Sequence, residues 1–111
     1  MLIAVTSSDG IWVDTHFGKA DRFLVFDVAD TGESALRYEV QAPRYCGGTG
    51  PGHDLMEQKL AAIAEGLGAC RVVVTAMIGG PPKEAMEQLG IDIISLTGPV
   101  GDVLNEVVKL Y

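Results

Sequence analysis

The chain has 111 residues, 48% of them hydrophobic and 21% charged, with a formal net charge of −7 from 15 acidic and 8 basic residues. This composition excludes disorder and supports a single domain, residues 1–111, with enough chain for a real core. It also excludes sequence-independent nucleic-acid binding, which needs clustered Lys and Arg, and no apolar run approaches the ~20 residues of a membrane span.

No basic segment followed by an apolar run opens the chain, so a cytoplasmic protein without a signal peptide is expected. Cys46 and Cys70 make neither a disulfide framework nor a zinc motif, which fits a reducing compartment. An acidic total still permits a small anionic ligand wherever the local site is neutral or positive.

Leu2–Thr6 is a continuous apolar run ending in Thr, as in a central strand buried on both faces. Asp9-Gly10 turns the chain, and Ile11-Trp12-Val13 adds a short extended piece. A mixed loop, Asp14 to Ala20, carries His16, Phe17 and Gly18. Arg22–Val28 is a second strand, and Asp30–Ser34 is a hairpin connection. The third strand, Ala35–Gln41, alternates, with Leu36, Tyr38 and Val40 on one face and Arg37, Glu39 and Gln41 on the other. That pattern predicts a half-exposed strand near an edge, closing an antiparallel meander.

A glycine-rich loop follows, in which Gly47, Gly48, Gly50, Pro51 and Gly52 separate Cys46 from His53. Asp54 and Glu57 form a capping-box arrangement for a helix whose apolar stripe is Met56, Leu60, Ile63 and Leu67. Gly66 and Gly68 offer the left-handed conformation that ends helices. Arg71–Ala76 is another buried strand, and Pro81-Pro82 begin a helix that runs to about Leu89 and stops at Gly90. Ile91–Leu96 is the fifth strand. Thr97-Gly98-Pro99 then opens a last helix with Val100, Val103, Leu104, Val107, Val108 and Tyr111 inward. The order β-β-β-α-β-α-β-α predicts a three-layer α/β domain with a five-stranded mixed sheet and helices on both faces.

Cys46 and His53 are the first candidate site. A thiolate and an imidazole suit iron, copper, zinc or an iron–sulfur cluster. The glycines between them let backbone amides approach an anion, and a helix entrance at His53 favours the same charge. The alternative is a flexible loop with an incidental cysteine and a solvated histidine. His16 is the second candidate; it either contacts a ligand near the end of the first strand or ties its own loop down while Phe17 packs inward. Ile78-Gly79-Gly80-Pro81 lies at the carboxyl edge of the sheet, where open α/β sheets bind ligands, although no Gly-x-Gly-x-x-Gly or Gly-Lys-Ser/Thr is present and a plain turn is the default. Cys70, Met77 and Met86 read as core filling. Lys19, Arg22 and Arg44 are surface charges unless they ring the loop, where they would offset the acidic background. No catalytic motif appears, and the acid-free first strand argues against a two-metal nuclease, so no enzymatic activity is expected.

The segments Ile3-Ala4-Val5-Thr6-Ser7-Ser8-Asp9-Gly10, Val13-x-x-His16-Phe17-Gly18-x-Ala20, Arg44-Tyr45-Cys46-Gly47-Gly48, Ile78-Gly79-Gly80-Pro81 and Leu89-Gly90-Ile91 together resemble the dinitrogenase iron–molybdenum cofactor-binding domains. These domains occur free-standing, as in the NifX type and in cofactor carriers, or as the C-terminal domain of many NifB proteins. The resemblance implies a ribonuclease-H-like fold with strand order 3-2-1-4-5 and strand 2 antiparallel. It implies an iron–molybdenum cofactor or iron–sulfur precursor held by Cys46, His53 and His16, with amides of Gly47, Gly48 and Gly79 donating to sulfides. His53 aligns with a histidine that carrier members use. The expected partners are the metal cluster and nitrogenase or cofactor-assembly proteins, with the chain a monomer or weak dimer. The other reading is a small regulatory or protein-interaction module that binds no metal and serves outside nitrogen fixation. Without a radical-SAM portion, the synthase activity of full-length NifB does not carry over.

Overall fold

The computed structural model describes residues 1–41 and 60–111. β1 (Leu2–Val5), β3 (Arg22–Val28), β4 (Ser34–Gln41), β5 (Val72–Thr75) and β6 (Asp92–Ser95) form one sheet in the order β4-β3-β1-β5-β6. β1, β5 and β6 are parallel, while β3 runs antiparallel to both of its neighbours, β1 and β4. A second, two-stranded sheet pairs β2 (Trp12–Val13), within the expected extended piece, with β7 (Gly98–Pro99), which was expected only as the opening of the last helix. Helical residues 60–66 (α1), Gly80–Gln88 (α2) and Val100–Val108 (α3) complete the domain. The capping residues Asp54 and Glu57, together with Met56 and Arg44, lie outside the described residues.

The sheet separates two apolar clusters, because alternate residues of a strand face opposite sides. Ala4, Phe23, Val25 and Val73 pack with Leu60 and Ile63 of α1, with Leu67 just beyond it and with Met86 of α2. Ile3, Val5, Leu24, Val72 and Val74 pack on the other side with Val100, Val103, Leu104 and Val107 of α3. The layers are therefore α/β/α. Central strands with helices on both faces carry uninterrupted apolar runs, as β1 and β5 do.

Three expectations change. The pairing of β3 with β4 shifts between Val25 and Phe26, so that Val25 opposes Tyr38 while Phe26 opposes Leu36. The extra residue, Arg37, bulges, and a one-residue slip moves later side chains to the other face. Leu36 thus shares the α3 side with Phe26, whereas Tyr38 and Val40 share the other side with Val25 and Phe23. Second, Gly66 and Gly68 are not among the glycines with positive φ. Gly66 is instead a close approach: a Cβ there would meet Val40 Cγ1 at 2.5 Å. The left-handed helix end is found at Gly90 (φ 88), after α2. There Gly90 N–H donates to Glu87 O and Ile91 N–H to Met86 O, and Ile91 and Met86 share a cluster, which makes a Schellman cap. Third, Met77 is not core filling. It is 61% exposed, whereas Met86 is fully buried.

A fourth expectation changes at the far end of α3: Val108 is partly buried, but Tyr111 is not inward, because the helix ends at Val108 and Tyr111, beyond it, is 47% exposed. Its hydroxyl donates to Asp92 Oδ2 at 2.7 Å, and the Arg71 guanidinium lies 5.2 Å from its ring centroid. Burial and the Asp92 carboxylate push the Tyr111 phenol up to about 12. Among the described residues, no helix is long and apolar enough to cross a membrane.

Candidate functional site

The loops after the parallel strands meet at one edge of the sheet, and two buried threonines organise them. Thr6 follows β1 and Thr75 ends β5; both are fully buried, with hydroxyl oxygens 3.0 Å apart. Buried hydroxyls require partners. Here the Thr15 carbonyl accepts from Thr6 Oγ1 at 2.7 Å and from Thr75 Oγ1 at 3.0 Å, and Met77 O lies 3.3 Å from Thr75 Oγ1. Each hydroxyl has one proton, so these contacts share two protons among them. The result clamps the His16 loop to the ends of the two central strands.

Backbone pairing extends the clamp. Ala76 N–H donates to Thr15 O, Phe17 N–H donates to Met77 O at 2.9 Å, and His16 pairs with Met77 in a parallel bridge. Residues opposed in such a bridge share a face, so the exposed Met77 thioether stands beside His16. Phe17 is buried and packs against Phe23, ring centroids 5.6 Å apart. Phe17–Lys19 form a single 3₁₀ turn, which His16 caps: its Nδ1 accepts from Gly18 N–H at 3.0 Å. The loop-tying role considered for this histidine is therefore present, and it engages one ring nitrogen only.

The preceding turn is ordered by two carboxylates. Asp9 accepts from the amides of Ile11 and Trp12, and these bonds, with help from Ser7, hold its carboxyl below the usual range. Asp14 accepts from the hydroxyl and amide of Ser8 and from the Thr15 hydroxyl, with the same consequence. The hydroxyl protons of Ser7, Ser8 and Thr15 are thus committed to carboxylates. A cavity of about 400 Å³ beside them is lined by Ser7, Ser8, Thr15, Lys19 and Arg22 among others. The cationic donors here are Lys19 and Arg22, and Arg22 is also bonded to Glu39 Oε1 at 3.0 Å.

Gly79 is the N-cap of α2 and lies two residues beyond Met77, so it shares this edge with His16. Pro81 and Pro82 carry no N–H, which leaves Gly79 and Gly80 as the amides available to a ligand at the start of α2. Gln41 pairs with Arg22, and Arg22 begins the strand whose Leu24 opposes Val5; the last described residue of β4 therefore reaches the same edge. Cys46, Gly47, Gly48 and His53 lie outside the described residues. Among the described residues, no three His, Cys, Asp or Glu side chains converge as a metal site. Cys70 is buried just before β5, at the opposite edge of the sheet, and burial pushes its thiol up, which disfavours the reactive thiolate.

Two features of this edge were missed from sequence. The Thr6/Thr75 pair was signalled by a threonine closing each of two apolar runs. Met77 gave no such signal, because an apolar residue after a buried strand reads as core.

The family profile described as dinitrogenase iron-molybdenum cofactor matches residues 1–110. The FeMo cofactor biosynthesis protein NifB of Klebsiella pneumoniae is 37% identical over 109 residues, covering 93% of this chain and 22% of that protein. Protein NifX of Rhodobacter capsulatus is 29% identical over 99 residues, covering 87% of this chain and 60% of its own length. The chain thus spans about a fifth of the length of the NifB relatives it matches. The solved structure of PH0822 superposes with a TM-score of 0.70 at 21% identity, over 98% of this chain and 90% of that one, a likeness of fold.

Proposed function

Because the chain belongs to the dinitrogenase iron–molybdenum cofactor family, we propose that it is a non-catalytic carrier in nitrogenase cofactor assembly. Its cargo is an anionic iron–molybdenum cofactor or iron–sulfur precursor, held for storage or delivery. One observation carries this reading: His16, the Gly79 cap and Gln41 gather at a single sheet edge, and Gln41 leads directly into the segment that contains Cys46 and His53. A thiolate and an imidazole are donors that such a cluster accepts, and Gly47, Gly48 and Gly79 supply amides for sulfides. Lys19 and Arg22 bring cationic groups to this edge, beside the Asp21 carboxylate and with Arg22 paired to Glu39. The strand order, with β3 antiparallel in a three-layer domain, supports a ribonuclease-H-like assignment. The carrier works in the cytoplasm as a monomer or weak dimer and passes its cargo to nitrogenase or to other assembly proteins.

Anaerobic titration with isolated iron–molybdenum cofactor tests this. Cys46→Ala, His53→Ala and His16→Ala should each weaken binding by about tenfold or more. Unchanged affinity in all three variants would sink the assignment. A second reading, a protein-interaction module without metal, draws support from the exposure of Ile11 (64%) and Trp12 (50%), at the start of β2. It predicts a protein that stays colourless after anaerobic reconstitution.

A further inference from the structure

The clamp around His16 restricts what its imidazole does. Its backbone is fixed on one side by the buried threonines and on the other by Phe17, whose amide is bonded to Met77 O and whose ring is in the core. His16 as a residue is half-buried, and its Nδ1 accepts the Gly18 N–H at 3.0 Å. A nitrogen that accepts a hydrogen bond carries no proton. In the neutral ring the proton then sits on Nε2. Nε2 is consequently an N–H donor, with no lone pair for a metal, and no described residue takes it up.

Coordination would need one of two changes. A metal at Nε2 moves the proton to Nδ1, which then confronts the Gly18 N–H with another N–H. A metal at Nδ1 displaces Gly18 and uncaps the turn that seats Phe17. Both break the contact that orients the ring, whereas donation from Nε2 needs no rearrangement. We propose that His16 meets the cargo as a hydrogen-bond donor, through Nε2–H to an anionic acceptor such as a bridging sulfide or a carboxylate, and does not ligate metal. This rests on the carrier reading and refines it. Cys46 and His53 keep the ligand roles in that reading, and His16 selects for an acceptor on the cargo's surface.

Nitrogen-15 NMR of the imidazoles in the free protein is the first test. The Nε2–H tautomer is expected for His16; an Nδ1–H tautomer overturns the proposal without any cofactor present. Anaerobic titration with isolated iron–molybdenum cofactor is the second. His16→Gln places an amide N–H near the Nε2 position and offers no imidazole. It should bind within about threefold of the wild type, while His16→Ala weakens binding by about tenfold or more. His16→Asn keeps an oxygen where Nδ1 caps the turn but cannot reach the cargo. It should melt like the wild type and bind as weakly as His16→Ala. Equal weakness of the Gln and Ala variants, or full binding by the Asn variant, overturns the proposal. Failure of the wild-type chain to bind the cofactor removes the carrier reading itself, and the NMR result stands apart from that failure.

Discussion

The two halves of the main sheet are built from different patterns and stand in different relation to the candidate site. In the parallel half, β1 and β5 are short, nearly all aliphatic and covered by helices on both sides. In the antiparallel half, β4 is twice as long, and seven of its eight residues are exposed. Every described group of the candidate site comes from loops at the carboxyl ends of the parallel strands or from residues fixed there by register. The β3–β4 hairpin, by contrast, turns at the opposite end, since Asp27 pairs with Leu2 at the start of β1. Buried parallel strands give loops at one edge a rigid base, which an exposed edge strand cannot do.

The contrast is largest for apolar truncations. Ile3→Ala removes a fully buried side chain from β1 and should cost about 2–5 kcal/mol, whereas Leu36→Ala on β4, 53% exposed, should stay within about 0.5 kcal/mol. Urea unfolding measures both, and similar losses would contradict the two-half description. Next in size is the clamp. Thr75→Val keeps the shape of β5 but removes a hydroxyl that serves Thr15 O and Thr6, so a loss of about 1–3 kcal/mol is expected. Faster amide exchange should then appear at Phe17 and Ala76, and exchange unchanged there would mean that the threonines do not hold the loop.

How much of this was legible follows from the same physics. The apolar runs of β1 and β5 and the stripe Val100, Val103, Leu104, Val107 are local patterns with the period of their element, and they read directly. The β-bulge at Arg37 is decided by pairing with β3, so Leu36 was assigned to the wrong face. His16 was recognisable as a candidate, but its tautomer depends on Gly18 folding back onto Nδ1.

The smallest expected effect is a pH dependence at the rim of β6. The Tyr111 phenol is raised above its unfolded value of about 10, to about 12. Its bond to Asp92 therefore contributes fully below about pH 10 and is lost as the pH rises toward 12, when two anions would face each other. Tyr111→Phe should lower the neutral-pH melting temperature slightly, since the bond is intact there, and abolish the alkaline step in thermal melts; an identical alkaline profile in the variant would refute it.

By itself the chain's pattern determined the five strands of the main sheet, the helices α2 and α3, the burial of β1 and β5, and the turn at Gly90, because each depends on residues within a few positions of one another. Only the tertiary structure decided that Thr6 and Thr75 meet, that Met77 stands exposed beside His16, and that Gln41 ends at the same edge. Those outcomes depend on strand order and register, which bring together residues as far apart as Thr6 and Thr75 through hydrogen bonds that no local pattern encodes.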